Sequence, residues 1–219
     1  MHVVVNAATS ADGKLSSRRR EQVAISGPAD FDRVNALRAE SDAVMVGVGT
    51  VLADDPHLTL DDPERVAARE ERGDPPHPAR VIADSAARTP PDARIVDDAA
   101  RTYLLTSERA PPERLDALVE RGVEVVTAGD ERVALPDALS ALAVEGIDRL
   151  MVEGGGELIF SLFEAGLVDE LSVFVGPSII GGHDAPTLAD GEGFVEGFPD
   201  LSLESVERID GGVLLRWRA

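Results

Sequence analysis

The stretch Asp148–Gly166, DRLMVEGGGELIFSLFEAG, decides how the fold is read. It opens with the apolar run Leu150-Met151-Val152 and passes through Gly154, Gly155 and Gly156. It continues as an amphipathic helix whose apolar members are Leu158, Phe160, Leu162 and Phe163, with Gly166 as its stop. The first N–H groups of a helix lack intrahelical partners, and its dipole favours negative charge, so a turn of this kind suits an anion. Glycines also let a phosphate come close to the backbone. The spacing is not the GxGxxG dinucleotide fingerprint, and it fits an ordinary tight strand–helix connection as well. Glu153, at the carboxyl end of the strand where open α/β sheets bind ligands, tilts the reading toward a site.

Outward from that unit, strands and helices alternate. His2–Ala8 is a β-branched strand followed by a turn-rich loop with Asp12-Gly13 at its tightest point. A helix follows with Ser26 as candidate cap, Pro28 in its first turn, and Phe31, Val34 and Leu37 as its buried stripe. Ala43–Val48 is a strand running into a second Gly-containing turn and the short helical piece VLADD. Asp61–Pro78 is acidic and Pro-rich and reads as an exposed loop with a helical stretch at ERVAAREE. Strands at Arg80–Asp84, Thr102–Thr106 and Val123–Thr127 alternate with helices at Pro112–Arg121 and Leu135–Val144. Leu171–Val175 is a further strand, and Asp210-Gly211-Gly212 joins two last strands as a hairpin. The pattern predicts one α/β domain over residues 1–219, with a largely parallel sheet flanked by helices and an antiparallel C-terminal hairpin.

Composition narrows the function classes. The formal net charge of −20 is spread along the chain, which disfavours nucleic acid as a partner. Lys14 is the single lysine among 21 basic residues, and the acidic, almost lysine-free surface reads as halophile-like, a mark of a salt-loving host or of a high-GC genome. Cysteine is absent, so disulfides and thiolate metal sites are excluded. The four histidines are scattered without metal-ligand spacing and read as loop or surface residues, so no metal is expected. No apolar run has the length of a membrane span, and a cytoplasmic protein is expected. Lys14, just past a strand end, offers a compact cation for a substrate oxygen or phosphate.

Several segments together resemble the riboflavin-biosynthesis reductases: NAATSADGK (Asn6–Lys14), LRAESDAVMVGVGTVLADDPHLT (Leu37–Thr59), RVIADS (Arg80–Ser85), VEGGG (Val152–Gly156), GLVDEL (Gly166–Leu171) and GPSIIGG (Gly176–Gly182). The resemblance implies a dihydrofolate reductase-like fold and a homodimer. For the dimer, the apolar run GLVDELSVFVGPSII is too long to be left in solvent, and it fits an internal sheet strand equally well. The zinc-deaminase signature of the bifunctional members is absent, so the free-standing type is implied. Carried over residue by residue, Ala8, Thr50, Asp54, Val81, Ile82, Ala83, Asp84, Ser85, Gly154, Gly155 and Gly156 match NADPH contacts. Asn6, Arg38, Leu58 and Glu153 match substrate contacts. Asp61 stands where bacterial members often have a phosphate-binding arginine, which leaves Arg38, Lys14 or a loop backbone for that role.

The chemistry implied is NADPH-dependent reduction of a ribosylamine, with Asp12, Lys14 and Glu153 as the titratable groups placed to manage protons. The expected substrate is 2,5-diamino-6-ribosylamino-4(3H)-pyrimidinone 5′-phosphate. The alternatives are the deaminated 5-amino-6-ribosylaminouracil phosphate, another pterin reductase on the same scaffold, or a non-catalytic nucleotide-binding protein. The turn after RVIAD presents Ser85 and Arg88 without an intervening acid, a pattern suited to the 2′-phosphate of NADPH.

Overall fold

The computed structural model describes residues 1–21 and 23–219. In chain order the elements are β1 (His2–Thr9), α1 (Pro28–Glu40), β2 (Ala43–Gly47), α2 (Val48–Asp54), α3 (Pro63–Arg72) and β3 (Ala79–Ala83). Then come β4 (Thr102–Thr106), α4 (Pro112–Val119), β5 (Glu124–Thr127), α5 (Leu135–Val144), β6 (Arg149–Gly154), α6 (Gly156–Glu164), β7 (Glu170–Val175), β8 (Ser202–Ile209) and β9 (Gly212–Arg218). The architecture is mixed α/β, mostly parallel, with an antiparallel C-terminal hairpin, as the sequence implied. The chain packs as two compact units. One is Met1 with Asn35–Met151, the other His2–Val34 with Val152–Ala219.

In the unit of residues 35–151, β2 pairs with β3, β3 with β4 and β4 with β5, all parallel. Val44, Met45, Val81, Ile82, Leu104 and Leu105 are at most 0% exposed. These strands read as continuous apolar runs because a parallel sheet is buried on both faces. Within the Asp61–Pro78 region the helical stretch expected at ERVAAREE forms α3. Asp62 caps Glu64 N–H at 2.9 Å, Pro63 opens α3, and Gly73 at φ 86 closes it. Its inward anchor is a buried Arg69, which donates to the carbonyls of Pro75, Ala39 and Ser41. A guanidinium in that position leaves no apolar stripe to read.

In the other unit β1 runs parallel to β7, and β9 pairs antiparallel with both β7 and β8. Asp210 (φ 48) and Gly211 (φ 75) supply the left-handed pair that a tight hairpin requires. Because β7 is flanked by β1 and β9, the apolar run there is an internal strand, one of the two readings its sequence allows. One expectation is corrected. Phe31 is 54% exposed and is not part of a buried stripe, because α1 turns Asp30 inward at 1% exposure. The Asp30 N–H donates to the Asp210 carboxylate at 2.7 Å, so the hairpin tip, not Ser26, satisfies this end of the helix.

Candidate active site

The strand ends of residues 35–151 carry one group of candidate residues. Gly47 of β2 is in register with Ala83 of β3, and Ala83 with Leu105 of β4. Parallel pairing therefore sets the segments following these strands along one edge, where α/β proteins bind ligands. Thr50 and Asp54 lie on α2, which starts immediately after β2. Desolvation raises the Asp54 carboxyl above the ordinary range, even though α2 is exposed there. Val81 and Ile82 are core residues of β3, and Ala83 ends it.

The turn after β3 is closed by its own side chain. The buried Asp84 carboxylate accepts from Ala86 N–H (3.3 Å), Thr89 N–H (2.8 Å) and Thr89 Oγ1 (2.9 Å). That carboxylate is occupied within the turn. The Ser85 hydroxyl accepts from Val133 N–H at 3.1 Å, which leaves its proton available to an acceptor. The Arg88 side chain is 56% exposed, with Nε 3.8 Å from Asp84. Arg114 reaches the Ala86 carbonyl of the same turn.

Leu58 is buried yet sits at φ 57, a left-handed conformation that a non-glycine residue adopts only when its surroundings impose it. The flanking residues impose it here. His57 meets Asp97 at 2.5 Å and Thr59 at 2.9 Å, and Leu60 N–H donates to His77. Asp97 also pairs with the fully buried Arg80 at 2.7 Å. Burial alone would raise the Asp97 carboxyl, but hydrogen bonds from Arg80 and His57 outweigh it and hold it at about 2. His57 is thus a structural anchor, not the plain loop residue expected. Arg38 stands in the last turn of α1.

The second group belongs to the other unit. Gly154 has φ 142, a region open to glycine, and the Gly154–Gly155 peptide is cis. Gly155 is the N-cap of α6 and has no side chain to cap it. A Cβ on Gly156 would lie 2.4 Å from the Thr187 carbonyl oxygen and 2.6 Å from Asp190 Oδ2. The turn therefore needs glycine for close packing against the Thr187–Asp190 loop as well as for any ligand. Glu153 is half-buried at the end of β6.

Lys14 joins this region through the same loop. It forms a β-bridge with Thr187, and its ammonium donates to the Ala185 carbonyl at 3.1 Å. Asp12 latches the lysine loop to the segment after β7. Its carboxylate accepts from Ser10 Oγ (2.6 Å), Ile180 N–H (3.0 Å) and Gly181 N–H (2.7 Å). The Ser10 bond first, then the backbone N–H groups, lower its pKa to about 2. Beside the latch is an open cleft of about 470 Å³ with Arg18, Arg19, Gly181 and Gly182 in its wall. Asn6 and Ala8 lie on β1, Asn6 buried at 6% exposure and hydrogen-bonded to Arg33. Arg33 was missed in the sequence. Its only trace there is the i, i+3 pairing with Asp30 on α1.

Strand-end turns in a mixed α/β fold are where proteins of this class place their ligands. The chain belongs to the RibD C-terminal domain family, which matches residues 1–215. It is 48% identical over 211 residues to the 2,5-diamino-6-ribosylamino-4(3H)-pyrimidinone 5′-phosphate reductase of Archaeoglobus fulgidus, covering 96% of this chain and 94% of that one. The enzyme of the same name from Methanothermobacter thermautotrophicus is 49% identical over 203 residues, covering 93% and 90%. Among solved structures, the Thermotoga maritima diaminohydroxyphosphoribosylaminopyrimidine deaminase/5-amino-6-(5-phosphoribosylamino)uracil reductase superposes with TM-score 0.76 at 26% identity, over 99% of this chain and 56% of that one. A pyrimidine reductase-like protein from Corynebacterium diphtheriae shares the fold with TM-score 0.86 at 21% identity, covering 99% and 91%. The family resemblance read from the sequence is borne out.

Proposed function

We propose that the protein is an NADPH-dependent reductase of riboflavin biosynthesis acting on 2,5-diamino-6-ribosylamino-4(3H)-pyrimidinone 5′-phosphate. The observation that carries this reading is the near full-length identity to two reductases of that name, 48% and 49%. The local geometry suits the cofactor. Gly154 to Gly156 give a side-chain-free turn at the uncapped start of α6 for the pyrophosphate. Ser85 with a free hydroxyl proton and the exposed Arg88 suit the 2′-phosphate. Ala8, Thr50, Asp54 and the end of β3, including Asp84, are assigned to the rest of the cofactor.

When bound, the nicotinamide supplies a hydride for C1′ of the ring-opened imine, and the imine nitrogen takes a proton. The chain's own residues orient the substrate and provide that proton. Asn6, Arg38, Leu58 and Glu153 are assigned to the substrate, with Leu58 held in place by its strained backbone. Asp12 remains ionised through the neutral range, so its part is to hold the lysine loop, and Lys14 and Glu153 are the proton-handling candidates. The substrate phosphate, opposite in sign to what Asp61 can hold, is assigned to Lys14 and the Arg18–Arg19 cleft. Residues 1–219 are assigned to one catalytic domain. Exposed Leu203 and Val206 on β8 suit a homodimer contact. No described helix is long and apolar enough to cross a membrane, in keeping with a cytoplasmic enzyme.

The test is steady-state turnover of NADPH with the ribosylaminopyrimidine phosphate, followed by identification of the ribitylamino product. Absence of that product with active, folded protein overturns the reading.

A further inference from the structure

We infer that Arg33 is a positioning residue that turns Asn6 into a hydrogen-bond donor for the substrate. The inference rests on the substrate role assigned to Asn6 and deepens it. Asn6 on β1 and Ser172 on β7 are direct register partners, so both side chains leave the same face of the sheet. Arg33 reaches both from α1. Its Nη2 donates to Asn6 Oδ1 at 2.8 Å and its Nη1 to Ser172 Oγ at 3.2 Å. The guanidinium is fixed in turn by Asp30, which accepts from Nε at 2.8 Å. Asp30 is itself 1% exposed, with its N–H held by Asp210.

This arrangement determines which end of the Asn6 amide faces which way. A guanidinium has donors only, so the amide oxygen must face it. Asn6 Nδ2 then points away with two N–H groups. Among the described residues no acceptor meets that nitrogen, and it is not one of the fully enclosed unpaired side-chain atoms, so it stays accessible to a ligand. An accessible N–H pair held in one orientation is ready to donate to an oxygen of a bound ligand without reorganising. The chemistry selects an acceptor, namely a hydroxyl oxygen of the sugar or a carbonyl oxygen of the pyrimidinone. Asp30 and Asp210 make the orientation durable by locking the arginine fork from behind.

The experiment uses Asn6→Asp and Arg33→Lys in the full chain. Asn6→Asp keeps an acceptor for Arg33 but deletes both donors. It should lower kcat/KM for the pyrimidine substrate at least tenfold, leave KM for NADPH unchanged and leave Tm at or above wild type. Arg33→Lys keeps the charge beside Asp30 but cannot bridge Asp30, Asn6 and Ser172 together. It should show the same split with a smaller loss. Calorimetric binding of the pyrimidine phosphate without cofactor provides a second readout in which Asn6→Asp weakens affinity. Wild-type binding by Asn6→Asp, or equal losses for both substrates in Arg33→Lys, would overturn the inference. If wild-type protein neither binds nor reduces the pyrimidine, the functional reading itself fails, and the inference with it.

Discussion

Two turns that leave carboxyl ends of strands solve the same problem in opposite ways. The turn after β3 consumes its own donors. Asp84 is buried and takes up the N–H groups of Ala86 and Thr89 and the Thr89 hydroxyl. The turn after β6 has no side chains at all, and Gly155 stands at the N-cap of α6 with no side chain to cap it. The difference teaches where an anion can be read by backbone and where it must be read by side chains. At the glycine turn, free N–H groups and the helix dipole suit a phosphate. At the Asp84 turn the N–H groups of Ala86, Ala87 and Thr89 are taken, so a phosphate there leans on the Ser85 hydroxyl and the Arg88 guanidinium.

Removing the carboxylate that closes the first turn breaks the comparison most sharply. Asp84→Ala leaves buried donors unpaired and should cost about 3 kcal/mol of stability, measured by chemical denaturation. A loss within about 0.5 kcal/mol of zero, the range of an ordinary surface substitution, would show that the turn does not depend on its acid. Next in size, Ser85→Ala and Arg88→Ala should each lower kcat/KM for NADPH by about ten- to hundredfold, or about 1.5–3 kcal/mol, and leave NADH unaffected. Equal losses for both cofactors would make the turn a structural element only.

The glycine turn is probed by Gly156→Ala. Its Cβ would overlap the Thr187 carbonyl at 2.4 Å, so the Thr187–Asp190 loop must shift, at about 1–3 kcal/mol. Weakened NADPH binding should accompany the drop in Tm. Unchanged affinity would separate the packing role of this glycine from cofactor binding.

How much of this was legible beforehand follows from where each signal resides. The apolar strands of residues 35–151 and the helix after Gly156 declared themselves because burial repeats along the chain. Helix α3 declared itself only as a helical stretch inside a loop, since its anchor is Arg69 and a charged anchor adds nothing to an apolar period. Phe31 was misread because α1 is phased by the Asp30–Arg33 pair, a polar inward face that hydropathy assigns to solvent. The site residues on motifs such as TVLADDP and VEGGG were visible as a resemblance. Their supports were not, because Arg33 to Asn6, His57 to Asp97 and Asp12 to Gly181 are contacts between segments far apart in sequence or of variable chemistry.

The smallest effect lies in the Asp12 latch. Its folded pKa of about 2 lies below the ordinary 3.8, so its contribution is complete above pH 4 or so and is lost as pH falls toward about 2. Hydrogen exchange of the Ile180 and Gly181 amides should accelerate in that window in wild type and be already fast in Asp12→Ala. Equal protection in both proteins would remove the latch.

The central claim is tested most directly by assaying purified protein with NADPH against the two candidate pyrimidines, 2,5-diamino-6-ribosylamino-4(3H)-pyrimidinone 5′-phosphate and its deaminated counterpart. The account predicts a higher kcat/KM for the diamino compound, with the ribitylamino phosphate as product. Preference for the deaminated compound would reverse the substrate assignment, and oxidation of NADPH with neither would contradict the account.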